Sequence, residues 1–600
     1  MEIKIKSSSG FTRIFDILTY QREKYPTASA LNSFRNGNWR AQSIQEIEKK
    51  VNALSCWFLA EGYHRGDKII FVPTFGTPEW MVLDFACQQI GLITVPIHPT
   101  LTSADVELII TETEALLCLT ADMGLFFKLK AIIDRNNFAV RVVHLDSTEP
   151  NYFVGFNYVK PDEEELKKVN EIKSTIRESD LLTILYTSGS SGIPKGVMLS
   201  HANVVHNIKA ILTLLPLEPH HRVISFLPFS HIFERTTCYA YIAFGVSLYF
   251  SQNKESFGHD FKTVKPYFCT SVPRVLEKMY DFMQEQSLSR NWIKRKLITW
   301  AIETGKEIES DHRIKPIRAI RLFLARILVL RLWRKRLGGR INYMAVGAAA
   351  LRPDIGRLFS AAGIRIIEGY GMTETSPFIS INRFEPGMNR FGTVGIAIPG
   401  VEIKIDEPGE NQEGEILVKG TNVMQGYFKN PEMTKAVMTA DGWFRTGDVG
   451  KIIHQRFLKI TDRKKDIFKT SSGKYIAPQP LQNHFTNSPF IQRCMIIGFQ
   501  RPYVTALFVP LFEILEAWCK QEQIHWTSPQ FMIHNIKVLA KFQQEVDKLN
   551  HELPAVERVR KFVLCSQDWS VESGEVTATL KPVRQLILDH NQKEIEKMYP

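Results

Sequence analysis

Short strand-like runs alternate with helical patterns through the first half of this chain. Ser43 and Glu46 have the spacing of a capping box, and Ile44, Ile47, Val51 and Leu54 follow at helical intervals. Lys68 to Val72 reads as a strand, Glu79 to Gln89 as a helix, and Leu92 to Ile97 and Ala115 to Leu119 as further strands. The alternation continues to about residue 280. Such an order builds largely parallel sheets covered by helices, so it predicts α/β layers. The pattern changes over 395–461, where Val401 to Ile405, Gly414 to Val418 and Lys451 to Ile453 are short strands separated by turns, the mark of a small β-rich subdomain. A chain of 600 residues is too long for one core. The expected division is a large N-terminal domain, 1–461, a hinge at the charged run 462–466, and a smaller, mobile α+β domain at 467–600.

The strand-like run Leu181 to Tyr186 leads into Thr187-Ser188-Gly189-Ser190-Ser191-Gly192-Ile193-Pro194-Lys195-Gly196. Read as a flexible polar loop, this stretch has the parts of a phosphate cradle. Glycines let backbone N–H groups converge on phosphate oxygens, hydroxyls add donors, and Lys195 adds positive charge. It is not a Walker loop, because Lys195 follows Pro194 and precedes Gly196. A Gly/Ser-rich surface turn has the same composition, and only downstream residues separate the two readings.

The net charge of +12 is unevenly spread. Between Glu285 and Arg340 there are fifteen Lys/Arg against five Asp/Glu, in a basic, mostly helical insertion at about 285–340. A basic island suggests a local function, and no nucleic-acid partner is expected. Within 318–336, arginines recur five apart through an apolar run (Arg321, Arg326, Arg331). Such a helix either lies on an anionic membrane with its arginines snorkelling or packs as an ordinary helix with solvated arginines. The eight cysteines show no CxxC pair, which fits a reducing compartment without zinc or disulfides. The start, MEIKIKSSSGF, has no apolar signal region, and no apolar run reaches the ~18–20 residues that span a bilayer. A cytoplasmic protein is expected, with peripheral contact at the membrane inner face as the membrane association left open.

Four more stretches carry chemistry. Glu368-Gly369-Tyr370-Gly371-Met372-Thr373-Glu374-Thr375 combines glycines for close backbone approach, an aromatic able to stack on a base, and a carboxylate suited to a hard cation. Asp441 to Asp448 ends in a carboxylate able to accept from vicinal hydroxyls. Ser230-His231-Ile232-Phe233-Glu234-Arg235 follows the strand-like Val223 to Leu227. Thr577-Ala578-Thr579-Leu580-Lys581 places a mobile cation near the C-terminus.

From about residue 10 onwards, these motifs and their order resemble the adenylate-forming (AMP-dependent synthetase/ligase) superfamily, and within it the long-chain fatty acid–CoA ligases. The resemblance implies that Thr187, Ser188, Gly189, Ser190, Ser191, Gly192 and Lys195 cradle the departing phosphates. It implies that Thr187 and Glu374 hold Mg²⁺, that Thr373 meets the α-phosphate, and that Gly347 and Ala348 lie against adenine. Glu368, Gly369, Tyr370 and Gly371 belong to the same nucleotide site. Asp448 and Arg463 are the implied ribose contacts, Lys469 a further nucleotide contact, Lys465 the hinge pivot, and Lys581 the catalytic lysine. Here the chain departs from the family pattern: Pro582-Val583-Arg584 follows Lys581, where a basic residue two positions on is usual. His231 either lines the acyl or adenylate pocket or is a core histidine satisfied by Glu234. The implied reaction joins a long-chain fatty acid to AMP from ATP and then to coenzyme A. An acyl-AMP ligase that loads a carrier protein, and an inactive binding protein of the same fold, are the alternatives.

Overall fold

Ser43 caps helix Ile44–Ala60 in both directions: its hydroxyl accepts from Glu46 N at 3.2 Å, and the Glu46 carboxylate accepts from Ser43 N at 2.7 Å. Ile44, Ile47, Val51 and Leu54 are the buried face. The next helix, Pro78–Gln89, opens on a Thr77 cap with proline in its first turn and is buried on nearly every side. The computed structural model describes residues 10–145, 153, 156, 160–188, 193–253, 255–288, 292–307, 316–409, 411–471, 473–570, 573–577 and 582–600.

Two sheets organise the first compact unit, which comprises Met1–Lys404, Val418–Phe444 and Ile453–Lys459. The seven-stranded sheet runs, in spatial order, Gly426–Tyr427, Pro194–Ser200, Leu181–Ser188, Ile93–Pro96, Lys68–Val72, Leu117–Thr120 and Arg141–His144. It is parallel from Leu181–Ser188 to its far edge and antiparallel at the edge that carries the Ser/Gly-rich segment. The nine-stranded sheet runs Ile396–Ala397, Phe378–Ile381, Arg365–Gly371, Tyr343–Val346, Phe268–Ser271, Arg222–Ser225, Ser247–Phe250, Leu31–Arg35 and Asn38–Gln42. Its centre is parallel, and hairpin pairings close both ends. The predicted α/β layers are therefore present.

A buried ion pair ties helices to the seven-stranded sheet. Arg235, on helix Ile232–Phe244, and Asp84, on Pro78–Gln89, are both fully buried. Arg235 Nε donates to Asp84 Oδ2 at 2.9 Å and Nη2 to Asp84 Oδ1 at 2.5 Å. The remaining guanidinium donors reach Thr183 Oγ1 at 2.8 Å and Thr94 Oγ1 at 2.7 Å, on neighbouring strands. The Tyr239 hydroxyl donates to the same carboxylate. A buried charge pair is tolerated only when its hydrogen-bonding capacity is filled, as here.

Val401–Asp406, Gly414–Gly420, Phe444–Ile453 and Phe457–Arg463 form a separate four-stranded sheet, and the chain passes between the two units within these strands. Ile405–Leu417 and Arg445–Ile452 group with Ile460–Pro600 in the second unit. That unit is built on the mixed sheet Ile491–Ile497, Thr505–Pro510 and Lys561–Leu564, with helices Pro478–Phe485 and Ile536–Asn550 supplying Leu481, Phe485, Val538, Phe542 and Val546 to its core.

Candidate active site

The stretch from Thr187 to Gly196 is less of a loop than its composition suggests. Leu181–Ser188 and Pro194–Ser200 pair antiparallel with Thr187 opposite Lys195 and Ser188 opposite Pro194. The apolar residues below, Ile184 opposite Met198 and Leu185 opposite Val197, carry the ladder to the edge of the motif. Thr187 and Lys195 are therefore strand residues held in register. Gly189, Ser190, Ser191 and Gly192 lie outside the described residues. The Thr187 hydroxyl is buried and, among the described residues, has no hydrogen-bond partner.

Strand Arg365–Gly371 likewise runs into the Glu368–Thr375 motif, because Gly369 to Gly371 pair with Phe378–Ile381. Gly371 is obligatory: a Cβ there would stand 1.8 Å from Pro377 O. The chain then enters a single 3₁₀ turn, Thr373–Thr375. Glu374, on this turn, is nearly buried, and its Oε1 lies 3.0 Å from Lys195 Nζ. The Tyr427 hydroxyl donates to the same oxygen at 2.9 Å and accepts from Lys195. The Lys195 ammonium also sits 4.1 Å from the centroid of the Tyr427 ring. Burial, with the Glu374 charge second, raises the Tyr427 pKa, so the phenol stays protonated and donates.

Tyr427 is the residue that sequence reasoning missed. It stands 53 residues from Glu374 and 232 from Lys195, and only the pairing of Gly426–Tyr427 onto Pro194–Ser200 brings the three together. No motif spacing encodes that.

Gly347 and Ala348 form the turn after strand Tyr343–Val346, with Ala348 in the left-handed region at φ 69°. Tyr370 is buried within its strand, and Thr373 opens the 3₁₀ turn. Glu368 is committed to the protein itself: its carboxyl accepts from Leu351 N and Gly392 N, each at 3.4 Å. Burial pushes its pKa up to about 8.

His231 precedes helix Ile232–Phe244, its ring 5.6 Å from that of His98. Glu234 Oε2 accepts from Thr270 at 3.0 Å, and burial pushes the Glu234 pKa up to about 7. Phe233 lines a narrow apolar cavity with Ile211, Leu214, Phe378 and Ile398, and a Cβ on Gly347 would lie 3.5 Å from its ring.

The remaining candidates belong to the second unit. Arg463 Nε is 3.4 Å from Asp448 Oδ1, with the guanidinium largely exposed. Asp448 is aimed by Thr446, whose hydroxyl accepts from Asp448 N at 3.1 Å and donates to Ile416 O at 2.8 Å. Lys465 is exposed on the turn after Arg463. Lys469, on the two-residue strand Phe468–Lys469, stands 5.2 Å from the Tyr475 ring centroid. Asp462 accepts from Arg463 N at 2.6 Å and Gln479 N at 3.3 Å, and burial raises its pKa to about 6. Lys581 lies outside the described residues.

Among the described residues no group of three His, Cys, Asp or Glu could hold a metal. Mg²⁺ needs no such group, because it takes one or two protein oxygens and completes its shell with phosphate and water. The unpartnered Thr187 hydroxyl and the Glu374 carboxylate are hard oxygen donors of the kind it accepts.

Thr187 and Lys195 stand opposite each other at the edge of an α/β sheet, and the Lys195 ammonium pairs with the buried Glu374 carboxylate. A family model described as AMP-binding enzyme matches residues 18–428, and one described as AMP-binding enzyme C-terminal domain matches 465–600. The chain belongs to the AMP-binding enzyme family. It is 30% identical over 592 residues to the peroxisomal long chain acyl-CoA synthetase 6 of Arabidopsis thaliana, covering 94% of this chain and 82% of that protein. It is 29% identical over 572 residues to the long-chain-fatty-acid–CoA ligase FadD15 of Mycobacterium bovis, covering 94% and 93%. The adenylation domain of a carboxylate reductase from Mycobacterium chelonae shares the fold at a TM-score of 0.73 and 20% identity, covering 99% of this chain and 92% of that one. ATP-bound MatB from Rhodopseudomonas palustris does so at 0.69 and 21%, covering 97% and 99%. At these identities the two structures speak for the fold alone.

Proposed function

We propose that this protein converts a long-chain fatty acid, ATP and coenzyme A into acyl-CoA, AMP and pyrophosphate. In the first step a carboxylate oxygen attacks the α-phosphorus of ATP, and the bond to pyrophosphate breaks. In the second the coenzyme A thiol attacks the acyl carbon of the mixed anhydride, AMP leaves with its oxygen, and the thiol proton is released. The observation that carries this reading is the pairing of Lys195 with the buried Glu374 carboxylate, on the strand opposite a Thr187 hydroxyl that has no partner among the described residues. A carboxylate is a weak nucleophile, so charge neutralisation and positioning must supply the catalysis.

Thr187, Ser188, Gly189, Ser190, Ser191, Gly192 and Lys195 are assigned to the departing phosphates and Thr373 to the α-phosphate. Gly347 and Ala348 are assigned to adenine, Glu368, Gly369, Tyr370 and Gly371 to the same nucleotide site, and Asp448, Arg463 and Lys469 to the ribose and nucleotide. Lys581 is assigned the developing charge of the first step, and Lys465, with 462–466, the hinge between domains 1–461 and 467–600. Mg²⁺ held by Glu374 and Thr187 would neutralise phosphate charge. His231 and the cavity beside Phe233 are assigned to the acyl group. That cavity has about 20 Å³ of free space, close to one water, so an acyl chain entering it must move Phe233 or Phe378. We place the protein in the cytoplasm, peripheral at the membrane inner face through 318–336; among the described residues no helix is long and apolar enough to cross a membrane.

The test is the purified protein with ATP, Mg²⁺ and a fatty-acid panel, with and without coenzyme A. Thioester formation is expected. An adenylate that never becomes a thioester would make it an acyl-AMP ligase, and no adenylate with any acid would make it a binding protein.

A further inference from the structure

Residues 316–340 contain eight Lys/Arg and no Asp/Glu. They form helix Pro316–Ala325, a π-helical turn Arg326–Leu330 and helix Arg331–Arg336. One face is spent on the protein: Leu322, Ala325, Val329, Leu330 and Trp333 are buried in a core cluster with Ile355, Leu358 and Phe359. The outer face is not the polar one a packed surface helix requires. Ile317, Ile320, Leu324, Ile327 and Leu328 follow the i, i+3, i+7 stripe and are 76%, 61%, 44%, 50% and 51% exposed. Phe323 and Leu332 widen the stripe at 61% and 55%. Arg318, Arg321, Arg331 and Lys335 are exposed along the same run. The helix Trp292–Lys306 packs against it and exposes Trp292 and Ile293 next to Lys294, Arg295 and Lys296.

We infer that this face is an apolar wedge that enters the acyl boundary of an anionic bilayer, with the basic residues holding lipid headgroups at its rim. The inference rests on the peripheral contact proposed above and changes its physics. Arginines alone would give a contact that salt dissolves, whereas a stripe of large apolar side chains gives one that salt strengthens or leaves intact. The charge selects the partner. A segment with eight cations and no acidic residue of its own would repel a second copy of the same face, while anionic lipid satisfies both the charge and the apolar area.

The experiment is flotation of the full chain with vesicles of phosphatidylcholine, with and without phosphatidylglycerol, at low salt and at ~1 M salt. The variants are Ile320→Ser/Ile327→Ser and Arg318→Glu/Arg321→Glu. The expected result is capture by anionic vesicles that persists in high salt and falls about tenfold or more in the Ile variant. Thermal stability and acyl-CoA formation from dispersed acid should not change. As a second readout, Phe323→Cys labelled with an environment-sensitive dye should shift to the blue on vesicle addition; the native cysteines are buried or half-buried and should label little. Capture lost in salt and in the Arg variant but kept in the Ile variant would overturn the wedge and leave a purely electrostatic peripheral contact standing. No capture at all would overturn both. A dimer in solution that Ile320→Ser/Ile327→Ser dissolves would show that a second copy covers the face and would overturn the inference.

Discussion

Lys195 Nζ stands 3.0 Å from Glu374 Oε1, and the Tyr427 hydroxyl bonds both groups. Each charge is therefore partly neutralised by the protein before any ligand arrives, and the phenol fixes their separation. A nucleotide phosphate and its cation would meet a lysine and a carboxylate already in place, so little reorganisation is needed on binding.

Removal of the Tyr427 hydroxyl should expose that dependence. In Tyr427→Phe the pair loses its shared partner while the ring and its packing stay. The KM for ATP is expected to rise about tenfold or more, in keeping with the ~1.5–3 kcal/mol of a hydrogen bond to a charged group. The KM for fatty acid should not change. Steady-state kinetics with each substrate varied in turn separates the two.

Thr187→Val separates stability from function more sharply. The hydroxyl bonds nothing among the described residues, so its loss should leave unfolding within about 0.5 kcal/mol of the parent or stabilise the fold. ATP-dependent turnover should nevertheless fall by tenfold or more, on the order of the ~1.4 kcal/mol that a factor of ten represents. Urea unfolding beside turnover measurements checks both halves.

Arg235 has the opposite profile. It closes the Ser230-to-Arg235 stretch, yet its donors go to Asp84, Thr94 and Thr183 in the core. Arg235→Met should cost ~3–5 kcal/mol by leaving the Asp84 carboxylate buried and unpaired. Adding Asp84→Asn to it should recover part of that loss. Chemical denaturation of the single and double variants measures the recovery.

Glu368 gives a pH signature. Its pKa is raised from 4.5 to about 8 by burial, so the folded protein holds a proton that the unfolded chain has released. Its contribution is fully present below about pH 4.5 and is lost as pH rises through about 8. Glu368→Gln cannot ionise. The melting temperature of this variant relative to the parent should therefore climb across that window. A flat difference would mean that Glu368 is charged in the folded state.

Much of this architecture was legible because it is encoded locally. The Ser43–Glu46 cap and the strand Lys68–Val72 fall where the sequence puts them, since a cap or a β-branched run needs only its own neighbours. The Thr187–Gly196 stretch was read as a loop and is partly strand, because pairing with Pro194–Ser200 extends a strand that composition alone would end. Tyr427 was invisible for the same reason: its role comes from a two-residue strand added at a sheet edge. Glu368 falls within the motif read as part of the nucleotide site, and nothing in that motif foretells that its carboxyl accepts from Leu351 N and Gly392 N. In the basic helix, five-residue spacing showed the arginines but not the exposed apolar stripe between them, because exposure depends on what the rest of the fold leaves uncovered.

The most direct test of acid activation follows the oxygen atoms. Fatty acid labelled with ¹⁸O in its carboxylate is incubated with the protein, ATP, Mg²⁺ and coenzyme A, and the nucleotide product is weighed by mass spectrometry. If the carboxylate attacks the α-phosphorus and the thiol then attacks the acyl carbon, each AMP carries one ¹⁸O and each acyl-CoA retains one. Formation of ADP, or AMP without label alongside acyl-CoA, would contradict an acyl-adenylate at this site.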